Sequence, residues 1–174
     1  LVYAIGGDDN HGNKLISDTA AKQTEQLIHV SNLYHTIPAP QLAQLLCDHS
    51  FADRVFFCNS GTESWEAALK FARKFAYKQN PDSPKTEFVA MNQSFHGRTY
   101  GSISSTGQPK YHQGFGPMLP GIKFADLNDL ESVEKQVTSD TAAILVEPLQ
   151  AEGGIHPSDV EFLKGLRSMC DEMG

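Results

Sequence analysis

Cysteine is scarce in this 174-residue sequence: Cys47, Cys58 and Cys170 stand far apart and form no Cys-x-x-Cys pair. That excludes a zinc knuckle, and the odd count argues against a disulfide framework. Three reduced thiols in an intracellular protein is the plain reading. Positive charge is also short. Lys and Arg total 14 against 21 Asp and Glu, a formal net charge of −7, which leaves no basic face for DNA or RNA. Long apolar runs are missing. The stretches around residues 55–58 and 142–146 are far too short to span a bilayer, so no membrane partner is expected. The seven histidines show no His-Glu-x-x-His or other dense spacing, and no metal is assigned. The chain opens Leu1-Val2-Tyr3 with no Met and no basic, Ser-rich leader, as after removal of a targeting segment or in a chain that begins mid-protein. No internal repeat, low-complexity tract or dividing linker occurs. What remains is 40% apolar and 20% charged, ordinary for one globular domain. A chain this long buries roughly 70% of its unfolded surface without staples.

Turn-forming residues dominate 6–13. A helical pattern then runs from Ser17 through Ala20, Ala21, Thr24, Leu27 and Ile28, with Ser17 or Asp18 as cap. Residues 31–40 read as a loop with two prolines, and 41–51 as a helix carrying Leu42, Leu45 and Leu46. Residues 54–59 form a short apolar run, read as a buried strand. The clearest helix is 63–79, with Ala67, Ala68, Phe71, Ala72 and Phe75 on one side. Pro81 and Pro84 break it. Strands follow at 86–91, 122–125 and 141–146, and helices at 128–137 and 158–172, with Asp129 near the start of the first and Gly174 capping the second. Residues 107–120, with three prolines and three glycines, are loop. Strands alternate with helices, and their apolar runs are continuous, as in parallel strands covered on both faces. The fold expected is α/β with a mostly parallel sheet and helices on both faces. Ligands in such sheets sit beyond the carboxyl ends of the strands.

Three turns there carry chemistry. The first is Cys58-Asn59-Ser60-Gly61-Thr62-Glu63, where a helix opens. Free amides at a helix start attract an anion, Gly61 permits close approach, and Thr62 adds a hydroxyl. Ser60 and Glu63 also make an S-x-x-E capping box, which needs no ligand. Glu63 and Glu66 would compete with an anion, and the turn is not a Walker A loop. The second is Ser94-Phe95-His96-Gly97-Arg98-Thr99. Phe95 can stack on a planar ligand, and the guanidinium of Arg98 can fork onto a carboxylate, although a surface turn with a salt-bridged Arg needs no ligand. His96 is either a general base or a residue making one structural hydrogen bond. The third is Glu147-Pro148-Leu149-Gln150-Ala151-Glu152-Gly153-Gly154, two carboxylates and an amide where a site belongs. These groups tune protonation, hold a cation or simply satisfy backbone amides.

In this order, each after a strand, the turns resemble those of the class III (ω-amino acid) aminotransferases. His29-Val30-Ser31-Asn32-Leu33-Tyr34 and the stretch from Ala67 to Lys74 extend the likeness, which runs from about Ala4 to the chain end. The resemblance implies the large, fold type I domain of pyridoxal-phosphate-dependent transferases, with residues 1–174 as its first part and the small domain missing. It implies pyridoxal 5'-phosphate as cofactor, its phosphate held by Gly61 and Thr62 and its ring stacked on Phe95. Arg98 would bind a substrate carboxylate. Glu152 would pair with an arginine later in the family's sequence, letting one site accept an ω-amino group and then a 2-oxo acid. The implied reaction passes the ω-amino group of N-acetylornithine to 2-oxoglutarate, in arginine biosynthesis. Ornithine, succinylornithine and 4-aminobutyrate are alternative donors, and a truncated, non-catalytic homologue is the alternative of another class. A homodimer is implied, in the cytoplasm of bacteria or in mitochondria or plastids of eukaryotes.

The sequence also departs from the family. Ser64 and Trp65 stand where the family has a small residue and then Asn, so an indole must pack near the anion turn. His35 replaces an aromatic after Tyr34, and Asn10 and Lys14 flank His11 where the family has Gly and Pro. None of the ten lysines has the context of the lysine that binds the cofactor covalently, so no catalytic residue is assigned and these 174 residues are expected to be inactive alone.

Overall fold

The computed structural model describes residues 12–31 and 33–174. Most of the turn-rich opening, with Asn10 and His11, lies outside the described residues, as does Asn32. The chain divides into two compact units, residues 1–57 and 58–174.

The first unit holds α1 (Lys14–Gln26) and α2 (Pro38–Asp48). Asn13, not Ser17 or Asp18, caps α1: its side chain accepts from the amides of Leu15 and Ile16. Asp18 instead meets Lys14 one turn away, at 2.6 Å on the surface. Leu27 and Ile28 fall beyond the helix end. The 31–40 stretch is not all loop. α2 begins at Pro38, because proline's fixed φ and missing N–H suit a first helical turn. The expected strand at 54–59 is absent. Phe56 and Phe57 are 58% and 46% exposed, and among the described residues no strand pairs with this run. An apolar run becomes a strand only where a neighbouring strand takes up its backbone groups.

The second unit is the α/β body. It comprises α3 (Gly61–Gln79), β1 (Glu87–Met91), α4 (Tyr100–Ser105), β2 (Ile122–Ala125), α5 (Leu130–Gln136), β3 (Thr141–Leu145), β4 (Leu149–Gln150), β5 (His156–Pro157) and α6 (Val160–Met173). β1 is central in a parallel sheet of order β2-β1-β3, and β4 and β5 form a separate antiparallel pair. Phe88, Val89, Ala90 and Met91 are wholly buried, because helices cover both faces of β1. Each of the larger side chains contributes about 1.5–3 kcal/mol through that burial. Val89 and Met91 pack with Val133, Phe162 and Leu166 on the α5–α6 face. Phe88 and Ala90 pack with Leu69 and Leu145, and with Trp65 at the edge, on the α3–α4 face. Connections over opposite faces leave a crevice beyond the carboxyl end of β1.

The Gly174 cap of α6 is as expected, and Asp129, expected near the start of the 128–137 helix, is the cap of α5. Asp129 accepts from the Ser132 amide, and Gly174 ends α6 with φ near 74°. One reading changes. The buried edge of α3 is Trp65, Leu69, Ala72 and Ala76, whereas Phe71 and Phe75 are 56% and 62% exposed. α3 carries apolar residues around much of its circumference, and only contact with the sheet selects the inner ones. The Ser/Thr-rich stretch after the second turn is helix α4, with Ser102, Ser104 and Ser105 buried and their hydroxyls donating to backbone carbonyls. The 107–120 loop contains one short 3-10 turn, Pro109–Tyr111.

Candidate functional site

The capping box at α3 forms with its return bond displaced. Ser60 Oγ accepts from the Glu63 amide, while the Glu63 carboxylate accepts from Asn59, at 2.6 Å from its backbone N and 3.4 Å from Nδ2. The amides of Gly61 and Thr62 have no intrahelical acceptor and carry the positive end of a 19-residue helix. Capping therefore leaves the anion position open. Glu66 is committed elsewhere as well. Its Oε1 accepts from Thr99 Oγ1 at 2.5 Å, the Gly101 amide at 2.8 Å and the Ser102 amide at 3.3 Å.

The second turn leaves the end of β1 and lies directly against the first. Gly97 has φ +118°, and a Cβ there would stand 2.4 Å from Thr62 Oγ1, so only glycine permits this approach. The Phe95 amide donates to Glu147 Oε2 at 2.9 Å, and the His96 amide to Thr106 Oγ1 at 3.0 Å. The Phe95 ring is half-buried and tilts 59° against Tyr111 at 5.3 Å. The guanidinium of Arg98 lies 5.9 and 6.0 Å from those two ring centres, an orientation that cation–π attraction favours. Arg98 is exposed and makes no salt bridge among the described residues. With Lys110, Tyr111 and Phe115 it lines a cavity of about 320 Å³.

His96 does not suit a proton-transfer role. It is 7% exposed and stacks on Trp65 at 3.6 Å with an 11° angle. Burial pushes its pKa down to about 4, so the ring stays neutral and is a weak base. Its buried Nε2 has no hydrogen-bond partner among the described residues. The Trp65 indole N–H donates to Ser105 Oγ at 2.8 Å. The departure at position 65 therefore packs between α3 and α4.

The third turn begins at the carboxyl end of β3. Burial pushes the Glu147 carboxyl up, the Phe95 amide opposes that, and the charge of Glu152 adds to it. Glu147 thus satisfies a backbone amide, the plainer reading of this segment, and that amide belongs to the site. Gln150 is buried and donates to the Asn92 carbonyl at 3.0 Å. Glu152 is exposed, and among the described residues it acts on the site only through its field on Glu147. Among the described residues no three His, Cys, Asp or Glu side chains gather to hold a metal ion.

The structure thus brings Gly61, Thr62, Phe95 and Glu147 together, with Arg98 at the rim and Glu152 beyond Glu147. An anion fits the two amides, while the Thr62 hydroxyl donates to Ser102 Oγ at 2.7 Å; a planar ring fits Phe95, and a carboxylate fits Arg98. The space that Gly97 leaves at Thr62 makes these parts contiguous. Sequence reasoning read Glu66 only as a competitor of the anion, and gave Thr99 and Ser102 no role of their own. One signal was present: Glu66 follows Thr62 by four residues and so shares its helix face.

A family model described as Aminotransferase class-III matches residues 7–174. The chain belongs to the class III aminotransferases. It is 48% identical over 162 residues to the acetylornithine aminotransferase of Clostridium acetobutylicum, covering 93% of this chain and 42% of that protein. It is 46% identical over 175 residues to the succinylornithine transaminase of Yersinia enterocolitica, covering 98% and 41%. A solved ornithine aminotransferase from Toxoplasma gondii, with pyridoxal phosphate partly occupying its active site, is 29% identical with a TM-score of 0.84, covering 94% and 39%. An aminotransferase from Bacillus anthracis gives 25% and 0.84, covering 94% and 41%. The chain spans about two fifths of the length of the relatives it matches. Among the described residues no helix is long and apolar enough to cross a membrane.

Proposed function

We propose that this chain is the first part of the large cofactor-binding domain of an aminotransferase that moves the ω-amino group of N-acetylornithine to 2-oxoglutarate, in arginine biosynthesis. The observation that carries the reading is the contact of the Phe95–Arg98 turn with the first turn of α3 through Gly97. It joins an anion cradle, a ring platform and a carboxylate fork in one place. Relatives named acetylornithine aminotransferase, at 45–48% identity, support the donor.

Pyridoxal phosphate is the proposed cofactor, and it supplies an electron sink for the bond broken at the amino-bearing carbon. The chain's own residues bind and orient. Gly61 and Thr62 hold the phosphate through their two amides. Phe95 supports one face of the ring, and Glu147 fixes Phe95 by holding its amide. Arg98 takes a substrate carboxylate with two parallel N–H donors. Glu152 offers a carboxylate to an arginine from elsewhere in the protein and so adapts the site to two substrates in turn. The lysine that binds the cofactor covalently is proposed to lie outside these 174 residues, and the working protein to be a homodimer.

Steady-state kinetics of the complete polypeptide with 2-oxoglutarate test the donor. The highest kcat/KM is expected with N-acetylornithine. A higher value with succinylornithine, which relatives of nearly equal identity favour, would give that donor the assignment. A higher value with ornithine or 4-aminobutyrate would reject both. Borohydride reduction followed by peptide mapping tests the lysine, and an adduct on any of the ten lysines here would refute that part.

A further inference from the structure

Glu66 sits where a carboxylate is least welcome. It lies one turn from the amides of Gly61 and Thr62, where its charge opposes an anion, and no cation pairs with it among the described residues. A partly buried charge is retained only where several donors compensate it. All its donors come from the start of α4: Thr99 Oγ1 at 2.5 Å and the amides of Gly101 and Ser102 at 2.8 and 3.3 Å. Two of them also meet the cradle. Thr62 Oγ1 lies 2.7 Å from Ser102 Oγ and 3.0 Å from Thr99 Oγ1, and Thr99 Oγ1 lies 3.0 Å from Ser102 Oγ. Glu66 therefore closes a loop of contacts that runs from Thr62 across to α4 and back into α3. Thr99 follows Arg98 directly, so the same loop ties the Phe95–Arg98 turn to the helix.

We propose that Glu66 is a positioning residue: its carboxylate sets the separation between the phosphate cradle at Gly61–Thr62 and the Phe95–Arg98 turn, trading some anion affinity for geometry. The inference rests on the proposed phosphate site. It does not require Glu66 to touch the cofactor. Its effect passes through Thr99 and Ser102, so it depends on Thr62 being present to be positioned.

The test uses the complete polypeptide, with pyridoxal phosphate affinity measured by equilibrium dialysis and the orientation of the bound ring by visible circular dichroism. Glu66→Leu is expected to weaken binding about tenfold, the scale of losing hydrogen bonds to a charged group, and to alter the dichroic band. Glu66→Gln keeps an oxygen for the Gly101 and Ser102 amides and removes the opposing charge, so it is expected to bind within about threefold of the parent. Equal loss in both variants, or wild-type binding by Glu66→Leu, overturns the inference. Should Glu66→Leu not fold, Thr99→Val removes the hydroxyl that meets Glu66, Thr62 and Ser102 and spares both amide bonds, with an expected loss of about threefold. In a double-mutant cycle with Thr62→Val the effect of either variant must shrink, and strict additivity overturns the proposal. Thr62→Val is also the control on the underlying reading. If it binds pyridoxal phosphate as the parent does, the loop through Thr62 Oγ1 positions nothing and the role of Glu66 fails, whereas the amide cradle fails only if a structure of the complete polypeptide grown with pyridoxal phosphate shows the phosphate bound elsewhere. If it weakens binding while Glu66→Leu and Thr99→Val do not, only the role of Glu66 fails.

Discussion

On the α5–α6 side of the sheet, Val89, Met91, Val133, Phe162 and Leu166 pack hydrocarbon on hydrocarbon. On the α3–α4 side the fully buried apolar set is smaller, Leu69, Phe88, Ala90 and Leu145. Toward the strand ends it gives way to the Trp65–His96 stack and the Thr62–Thr99–Ser102–Glu66 contacts. The first face can be uniform because nothing but packing is asked of it. The second carries buried hydroxyls and a carboxylate, each needing a placed partner, and that requirement fixes the relative position of two turns whose contacting residues Thr62 and Thr99 are 37 residues apart. Stability and site geometry are thus unequally shared between the faces.

Substitution on each face should separate the two. Phe162→Ala leaves a hole in the uniform face and is expected to cost about 3–5 kcal/mol in chemical denaturation, with cofactor affinity of the folded protein unchanged. Loss of affinity without loss of stability would erase the distinction. On the other face, His96 titrates at about 4 when folded against 6.5 when free. The unfolded chain therefore takes the proton first as pH falls. The stabilisation is complete above about pH 6.5 and is lost toward pH 4, a difference of about 3 kcal/mol. His96→Phe should remove that part of the pH dependence, read as the difference between the two proteins' urea midpoints at pH 7 and pH 4. Parallel profiles would contradict the burial of a neutral ring.

Arg98→Lys should raise the KM of the carboxylate substrates about tenfold while pyridoxal phosphate binds as before, because an ammonium cannot make the forked contact. Unchanged kinetics would remove Arg98 from the site. The smallest effect belongs to Ser60→Ala. Losing the Ser60 cap should destabilise the protein by about 1 kcal/mol, measured by thermal unfolding. A much larger loss of cofactor affinity would mean that Ser60 also faces the anion.

β1 and β3 were legible because each is a nearly continuous apolar run bounded by turns, the pattern that burial on both faces imposes, and β2 because Ile122, Phe124 and Ala125 outweigh the one charged residue, Lys123, in a short run after the 107–120 loop. Asp129 and Gly174 were legible because capping is local. The run at 55–58 has the same pattern yet forms no strand among the described residues, since pairing depends on a neighbour that the run itself does not encode. The inward edge of α3 was misjudged for the same kind of reason. Ala68, Phe71 and Phe75 are as apolar as Leu69, Ala72 and Ala76, and only the sheet distinguishes them. At the site, Gly61, Thr62, Phe95 and Arg98 stood out as residue types whose chemistry is visible one turn at a time. The buried serines of α4 gave no helix signal, because Ser favours turns until its hydroxyl finds a backbone carbonyl. Glu66 was hidden because its partners lie 33 to 36 residues downstream.

The central claim is that the opening turn of α3 holds the phosphate of a ring supported by Phe95. A crystal structure of the complete polypeptide grown with pyridoxal phosphate tests it directly. The account predicts phosphate oxygens on the Gly61 and Thr62 amides, with the pyridine ring over Phe95. Phosphate bound elsewhere, with those amides facing only water, would contradict it.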